Sequence, residues 1–256
     1  MPLDRVLEPE VMDTFQEAFD YDTMDHSAVN RLFVEDLLAT LTSSKFQVES
    51  SKLDAASSTL NLEPGTLNLD VLDLGAGTAQ IPIELCRQLA TCRVMACDAS
   101  VSMLEQAQYN LAGTDLNDRI VLRQADCKAL PFQETKFDVV MSNSIVHHIP
   151  EPLAVLREAI RVVRLGGLLF FRDLVRPESL DQLGHFVDTY AADTNDHQRR
   201  MFAASLHAAL SLDEIRALIV SLGFAAESVQ QTSDRHWTWV ASATSENFRR
   251  EPVASA

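Results

Sequence analysis

No stretch of this 256-residue chain approaches the ~20 consecutive apolar residues that a membrane-spanning helix requires. A secretory start is also missing. Residues Met1 to Asp25 hold eight acidic side chains against the single Arg5, whereas a signal segment opens basic and continues apolar. The expected address is therefore the cytoplasm, with no membrane partner. Basic residues are scarce: 21 Lys and Arg stand against 37 Asp and Glu, a net charge of −16. Phosphate backbones repel such a surface, so nucleic acid is not an expected partner. The four cysteines, Cys86, Cys92, Cys97 and Cys127, form no Cys-x-x-Cys pair and have no His at ligand spacing. They read as small buried hydrophobes in a reduced compartment, and no metal is expected. Internal repeats are absent, and there are only eight glycines.

What is present suits a folded enzyme-sized domain. Hydrophobic residues make up 46% and charged residues 23%, and a chain of this length can bury a core without disulfide or metal staples. About Glu10 to Leu41 reads as helical, an N-terminal cap over residues 1–45. Residues 46–69, with Ser50-Ser51, Ala55-Ala56-Ser57-Ser58 and Pro64-Gly65, read as a linker with a short strand around Phe46. From Asp70 to the end, short apolar runs alternate with helical periods. Strands are expected at Val71 to Leu74, Val94 to Cys97, Ile120 to Leu122, Phe137 to Met141 and Leu168 to Phe171. Helices between them carry Ile81, Leu85 and Leu89, then Met103, Leu104, Ala107 and Leu111, then Leu153, Leu156, Ile160 and Val163, the last stopped by Gly166-Gly167. Nearly all-apolar strands imply burial on both faces, hence an α/β, doubly wound Rossmann-like sheet. Residues 179–210 read as a two-helix insertion after the fifth strand. Ser211-Leu212-Asp213-Glu214 is a capping box for another helix, and two strands near Glu227 to Thr232 and His236 to Ala241 close the chain as a hairpin.

The chemistry-bearing residues stand at the ends of the predicted strands. Asp73-Leu74-Gly75-Ala76-Gly77 lets the backbone turn sharply and approach a ligand without an intervening Cβ. Asp98, at the end of the second strand, can accept both ribose hydroxyls of an adenosine. Asp126, after the third strand, can accept from an adenine amino group, and Asn143 ends the fourth strand where the ligand's other end would lie. Gln80 occupies the place of the third glycine in the dinucleotide fingerprint, which disfavours close approach of a pyrophosphate and with it an NAD enzyme.

Taken in order, Val71-Leu72-Asp73-Leu74-Gly75-Ala76-Gly77-Thr78, Asp98, the Asp126 turn and Phe137 to His148 resemble the successive motifs of class I methyltransferases that use S-adenosylmethionine (SAM). Arg164-Leu165-Gly166-Gly167 is similar to that family's turn before the fifth strand. The resemblance spans about Tyr21 to Asp173 and is strongest to the small-molecule branch that includes quinone-biosynthesis methyltransferases. It implies a seven-stranded sheet with an antiparallel last strand, and a cofactor, SAM, released as S-adenosylhomocysteine. It further implies that Asp73, Gly75 and Gly77 line the methionine part, with Thr78 and Gln80 nearby. Asp98 would hold the ribose, Met103 the adenine face, and Asp126 with the Cys127 backbone the adenine edge, with Ala99 also among the cofactor-binding residues. Tyr21 would close over the cofactor, or else only pack between helices.

Methyl transfer is an in-line displacement at carbon, for which a protein mainly aligns the reactants and excludes water. A general base is needed when the acceptor is a hydroxyl or protonated amine. His147 and His148, after the fourth strand, either supply that base or pin the turn before Pro150. Arg172 and Arg176, after the fifth strand, would meet an anionic small-molecule acceptor, or sit in salt bridges; His26 is a further polar candidate for the acceptor side. Arg157, Arg161 and Arg164 are spaced to share one helical face, read as solvated. The readings left beside small-molecule transfer are an RNA methyltransferase using the Arg157 to Arg176 cluster and the 179–210 insertion, read as a substrate lid, and an inactive SAM-binding scaffold. A homodimer through the N-terminal helices is left open.

Overall fold

The computed structural model describes residues 3–43 and 68–245. The expected linker over 46–69, with its strand around Phe46, lies almost entirely outside them. A seven-stranded sheet runs in the order β3-β2-β1-β4-β5-β7-β6. Its strands are β1 (Leu69–Leu74), β2 (Cys92–Asp98), β3 (Ile120–Gln124), β4 (Phe137–Asn143), β5 (Val163–Leu174), β6 (Val229–Gln231) and β7 (His236–Ser242). Strands β1 to β5 pair in parallel, and β7 runs antiparallel to both β5 and β6. The chain therefore has the doubly wound architecture with a reversed last strand.

Period-two alternation places the core on both faces. Leu72, Leu74, Val140, Leu169, Phe171, Trp237 and Trp239 point into one cluster with α5 (Pro152–Val162) and α8 (Leu212–Ser221). Val71, Val94, Val139, Met141, Leu168 and Phe170 point into the other, against α3 (Gln80–Gln88) and α2 (Ser27–Thr42). The α2 stripe of Phe33, Val34, Leu37 and Leu41 belongs to that second core.

Three local expectations are corrected. The N-terminal helical reading breaks at Met24-Asp25-His26 into α1 (Phe15–Thr23) and α2, and α1 starts only after Thr14, whose hydroxyl and Glu17 form a capping box. Next, α5 ends at Val162 rather than at the glycine pair. Arg164 to Gly167 lie inside β5, whose pairing with β4 shifts register between Phe137 and Val139. Gly166 takes φ +76° there, and a Cβ on Gly167 would stand 2.9 Å from the Asp138 carbonyl oxygen, so the glycines serve an irregularity within the strand. Consequently Arg164 does not share a helix face with Arg157 and Arg161; it pairs with Asp138 and Asp70 across the sheet edge.

The insertion after β5 is two helices, α6 (Leu180–Tyr190) and α7 (Asp196–Ala208), with a small core of Leu174, Phe186, Val187 and Leu206. Its base is pinched where the Arg176 amide donates to the Leu210 carbonyl at 3.1 Å. Its far side meets α1 through His197 Nδ1 and Asp20, 2.7 Å apart, and through Gln198 Nε2 donating to the Asp20 carbonyl at 2.8 Å. Cap and insertion therefore interlock over the carboxyl end of the sheet. Among the described residues no helix is long and apolar enough to cross a membrane.

Candidate functional site

The first strand delivers Asp73, only 2% exposed, to the carboxyl edge of the sheet. The chain then turns with Gly75 at φ +70° and Gly77 at φ +53°, conformations that L side chains rarely adopt. The turn is held by the Gly75 and Ala76 amides, each donating to the Cys97 carbonyl at 2.9 Å. A Cβ at Gly75 would fall 1.9 Å from Ile145 Cγ2, so that glycine is what admits the loop after β4; at Gly77 it would meet the Tyr21 ring at 3.6 Å.

Asp98 ends β2 and is oriented by backbone amides: Gly77 N donates to Oδ2 at 2.8 Å and Ser100 N to Oδ1 at 2.9 Å. Burial raises its pKa despite those bonds. Burial and the nearby Asp98 raise Asp73 well above the usual carboxylate range. Burial, then Asp98 and Asp73, push the Tyr21 hydroxyl up to about 12, so it stays a donor at neutral pH. Buried Asp73 thus lines a hollow with Tyr21, Asn30, Gly75, Ala76, Thr78, Gln80, Ile81 and Asn143, no cationic side chain being among them, and half-buried Asp98 adjoins it through the Gly77 amide. The Thr78 hydroxyl there is buried without a partner.

Gln80 ties the cap to the start of α3. Its Oε1 accepts from Asn30 Nδ2 at 3.1 Å, and its Nε2 donates to Asp22 Oδ1 at 2.9 Å. Asp22 also accepts from Gln106 at 2.9 Å and Asn110 at 2.7 Å, on α4 (Val101–Ala112). Where a dinucleotide enzyme needs a glycine, this chain uses a side chain to fix α1 over the turn.

Six residues singled out in the sequence, Tyr21, Asp73, Gly75, Thr78, Gln80 and Asn143, therefore line one hollow, and Gly77 and Asp98 adjoin it. The others lie further along the edge. Met103 is buried, its amide donating to the capping Ser100 hydroxyl at 3.0 Å; Ala99 is exposed. Asp126 is exposed and accepts from the Lys128 amide at 2.8 Å, while Cys127 beside it is buried. Burial works to raise Asp126, but the Lys128 amide and ammonium outweigh it and hold the carboxyl low.

His147 and His148 fall in a short 3-10 turn over Val146–His148 and are not among the lining residues. His147 Nδ1 lies 2.5 Å from Asp173 Oδ1, and Asp173 Oδ2 accepts from the Val146 and His147 amides at 2.5 and 3.2 Å. Burial works against the charged form of His147, but the Asp173 carboxylate wins and raises its pKa; burial and His147 push His148 down to about 3. His26 lies on the cap, its ring 4.8 Å from that of Tyr21, with a buried Nε2 that has no partner and a pKa lowered chiefly by burial.

Both arginines proposed for an anionic acceptor are engaged within the chain. Arg172 is buried, 2.6 Å from Asp36 and 3.0 Å from the Thr238 hydroxyl; Arg176 is buried, 2.7 Å from Glu214 and 3.1 Å from the Ala209 carbonyl.

Two contributors carry no mark in the sequence motifs. Asn30 sits on the apolar stripe of α2, in line with Phe33, Val34 and Leu37; a polar residue in such a stripe is the signal that could have found it. The N-terminal arm is the other. Arg5 donates to the carbonyls of His147 and Ile149 at 3.0 Å and of Ala208 at 2.6 Å. Glu8 reaches both histidines, Glu10 pairs with Lys128, and Asp13 accepts from the Val101 amide at 3.0 Å. No local pattern announces contacts across a hundred residues.

Residues 72–171 match the family model of a methyltransferase domain. The 27-O-demethylrifamycin SV methyltransferase of Amycolatopsis mediterranei is 32% identical over 175 residues, 66% of this chain and 59% of that protein. The demethylmenaquinone methyltransferase of Desulfitobacterium hafniense is 34% identical over 108 residues, 42% of this chain and 43% of that one. The chain thus spans roughly half the length of these curated relatives. A solved structure of a candidate SAM-dependent methyltransferase from Methanococcus maripaludis shares the fold, with a TM-score of 0.64 at 16% identity over 93% of this chain and 97% of that one.

Proposed function

From the premise that residues 72–171 place this chain in the class I, SAM-dependent methyltransferase family, we propose that it binds SAM in the Asp73–Asp98 hollow and transfers the methyl group to a small-molecule acceptor. The observation that carries this reading is the charge of the hollow. Buried Asp73 in the lining and half-buried Asp98 beside it, with no cation among the lining residues, favour a ligand bearing positive charge and disfavour a pyrophosphate. An orphaned Thr78 hydroxyl offers a polar contact beside them.

SAM supplies a methyl group already activated by its sulfonium. This chain's part is to hold and to exclude. Asp73 would take the ammonium of the methionine portion. Asp98, pre-aimed by the Gly77 and Ser100 amides, would take the ribose, and Asp126, Cys127, Ala99 and Met103 the adenine. Tyr21, with Gln80 anchoring α1, would shut out water. Where the acceptor needs deprotonation, His26 is better placed than His147 or His148: its ring lies against that of the lining Tyr21, its Nε2 has no partner, and burial favours its neutral form. Because Arg172 and Arg176 are neutralised within the chain, a neutral acceptor, a phenol or hydroquinone, fits better than an anionic one. One relative's name speaks of an O-demethyl substrate and another's of demethylmenaquinone, which makes hydroxyl and quinol acceptors the first to try.

The test is thermal unfolding with S-adenosylhomocysteine, NAD as control, and Asp98→Ala as a second protein. At ~100 times its dissociation constant a ligand adds ~2.7 kcal/mol, about 5–10 °C for a chain of this size. A shift of that order with the SAM product alone, lost in the variant, is expected; a shift with NAD alone, or none at saturation, would refute the assignment.

A further inference from the structure

We propose that Glu8, His147 and His148 form a binding site for one divalent transition-metal ion, with zinc the best match, that clips the N-terminal arm to the turn after β4. Glu8 Oε1 lies 3.4 Å from His147 Nε2 and 3.2 Å from His148 Nδ1, and the three ligand atoms lie within 4.8 Å of one another. A tetrahedral zinc at ~2.0–2.1 Å from nitrogen and oxygen sets its ligand atoms about 3.4 Å apart. The carboxylate is already at that distance from each imidazole.

A second observation points the same way. Glu8 Oε1 and His148 Nδ1 are both buried, and neither has a hydrogen-bond partner. Buried polar atoms are seldom left so, and one cation between them would satisfy both. The outer shell is also present. Asp173 holds His147 at Nδ1, 2.5 Å away, which fixes the ring and leaves Nε2 directed at Glu8, the carboxylate–histidine arrangement found behind metal-ligating histidines. Asp173 is itself anchored by the amides of Val146 and His147. Charge is compatible: Glu8 and Asp173 contribute two negative charges and Arg5, bonded to the His147 carbonyl, one positive. The Glu8 and His148 side chains are 11% and 12% exposed, enough for an ion to enter and for water to complete its coordination.

Two imidazoles and a carboxylate suit zinc, cobalt(II) or iron(II) and not calcium or magnesium. The ion would add a further anchor to an arm already fastened at Arg5, at Glu10 and at Asp13, whose carboxylate caps α4 next to Asp98. This inference does not depend on the methyl-transfer reading, because its readout is metal binding.

The full-length chain, stripped with EDTA, is titrated with Co²⁺ and then with Zn²⁺. One Co²⁺ per chain, with the visible absorption of a four-coordinate site, is expected to appear and to be displaced by one equivalent of Zn²⁺. Glu8→Gln and His148→Asn should abolish it, and His185→Asn, at an exposed histidine, should retain it. No stoichiometric Co²⁺ in the folded wild type, or equal binding in folded Glu8→Gln, would overturn the site in favour of a shared proton. If the variants do not fold, X-ray absorption of the zinc-loaded wild type decides: two imidazoles support the site, one or none removes it.

Discussion

Replacing Asp73 by asparagine should strengthen the unliganded fold and weaken ligand binding at once. The carboxylate is 2% exposed, and Asp98 is the neighbouring charge that acts on it; burial first, then that like charge, raise its pKa well above 3.8. A carboxyl raised in the folded state favours folding below its unfolded value and loses that contribution as pH rises through its folded pKa. Whatever fraction is ionised at pH 7 is therefore a net cost, which asparagine removes. Binding moves the other way. A hydrogen bond to a charged partner contributes about 1.5–3 kcal/mol, so its loss weakens S-adenosylhomocysteine roughly 10- to 150-fold. At ~100 times the wild-type dissociation constant, stabilisation by ligand then falls from ~2.7 to about 0.3–1.4 kcal/mol, a shift of about 1–5 °C in place of 5–10 °C. Thermal unfolding of both proteins, with and without ligand, from pH 4 to 8 reads both effects. The free proteins should converge towards pH 4. An undiminished ligand shift, or an asparagine variant less stable than wild type at pH 7, would refute the reasoning.

Gly75→Ala would place a methyl 1.9 Å from Ile145 Cγ2 at φ +70°; overpacking and left-handed strain together cost about 2–5 kcal/mol, and Ile145→Ala in the same chain should recover part of it in urea unfolding. Burial, then Arg235 and Arg172, push His236 down to about 4 from 6.5. Stability should therefore be intact above pH 6.5 and decline by roughly 3 kcal/mol on the way to pH 4, and His236→Gln should flatten that decline. With a phenolic acceptor, His26→Ala should lower turnover by about 10²- to 10⁴-fold without changing S-adenosylhomocysteine affinity, whereas metal-free His148→Ala should lower it far less; the reverse order would return the base to the turn after β4.

Much of the fold was legible because each strand carried its own local signature. Val71 to Leu74 and Leu168 to Phe171 are apolar on both faces, and both are central strands. Ser100, Ser179 and Ser211 cap the helices they precede. Errors came where a tertiary contact overrode the local pattern. Gly166-Gly167 reads as a helix stop, yet β5 already begins at Val163 because Phe137 pairs with Val163 and Ala243 bonds back to the Gly166 amide. Met24 to His26 sits in a helical period but breaks, since Asp25 accepts from the Ser27 amide at 3.0 Å and offers the backbone another partner.

The site divides along the same line. Asp73, Gly75, Gly77 and Asp98 come from consecutive strand ends of a parallel sheet, where topology alone gathers side chains on the carboxyl edge; their spacing was sufficient to bring them together there. The His147–His148 environment is different in kind. A pair of histidines after a strand is consistent with a base, a turn lock or a metal ligand, and the choice depends on groups distant in sequence. Asp173 lies 26 residues on, and Glu8 arrives on the N-terminal arm. Neither residue has a periodicity or spacing relative to the histidines, so one sequence without its folded geometry cannot rank the three roles. With the geometry, an imidazole fixed at Nδ1 by a buried carboxylate and facing a second carboxylate at Nε2 has little freedom to carry protons to an acceptor. That is why the proposed base is His26, whose Nε2 is buried without a partner.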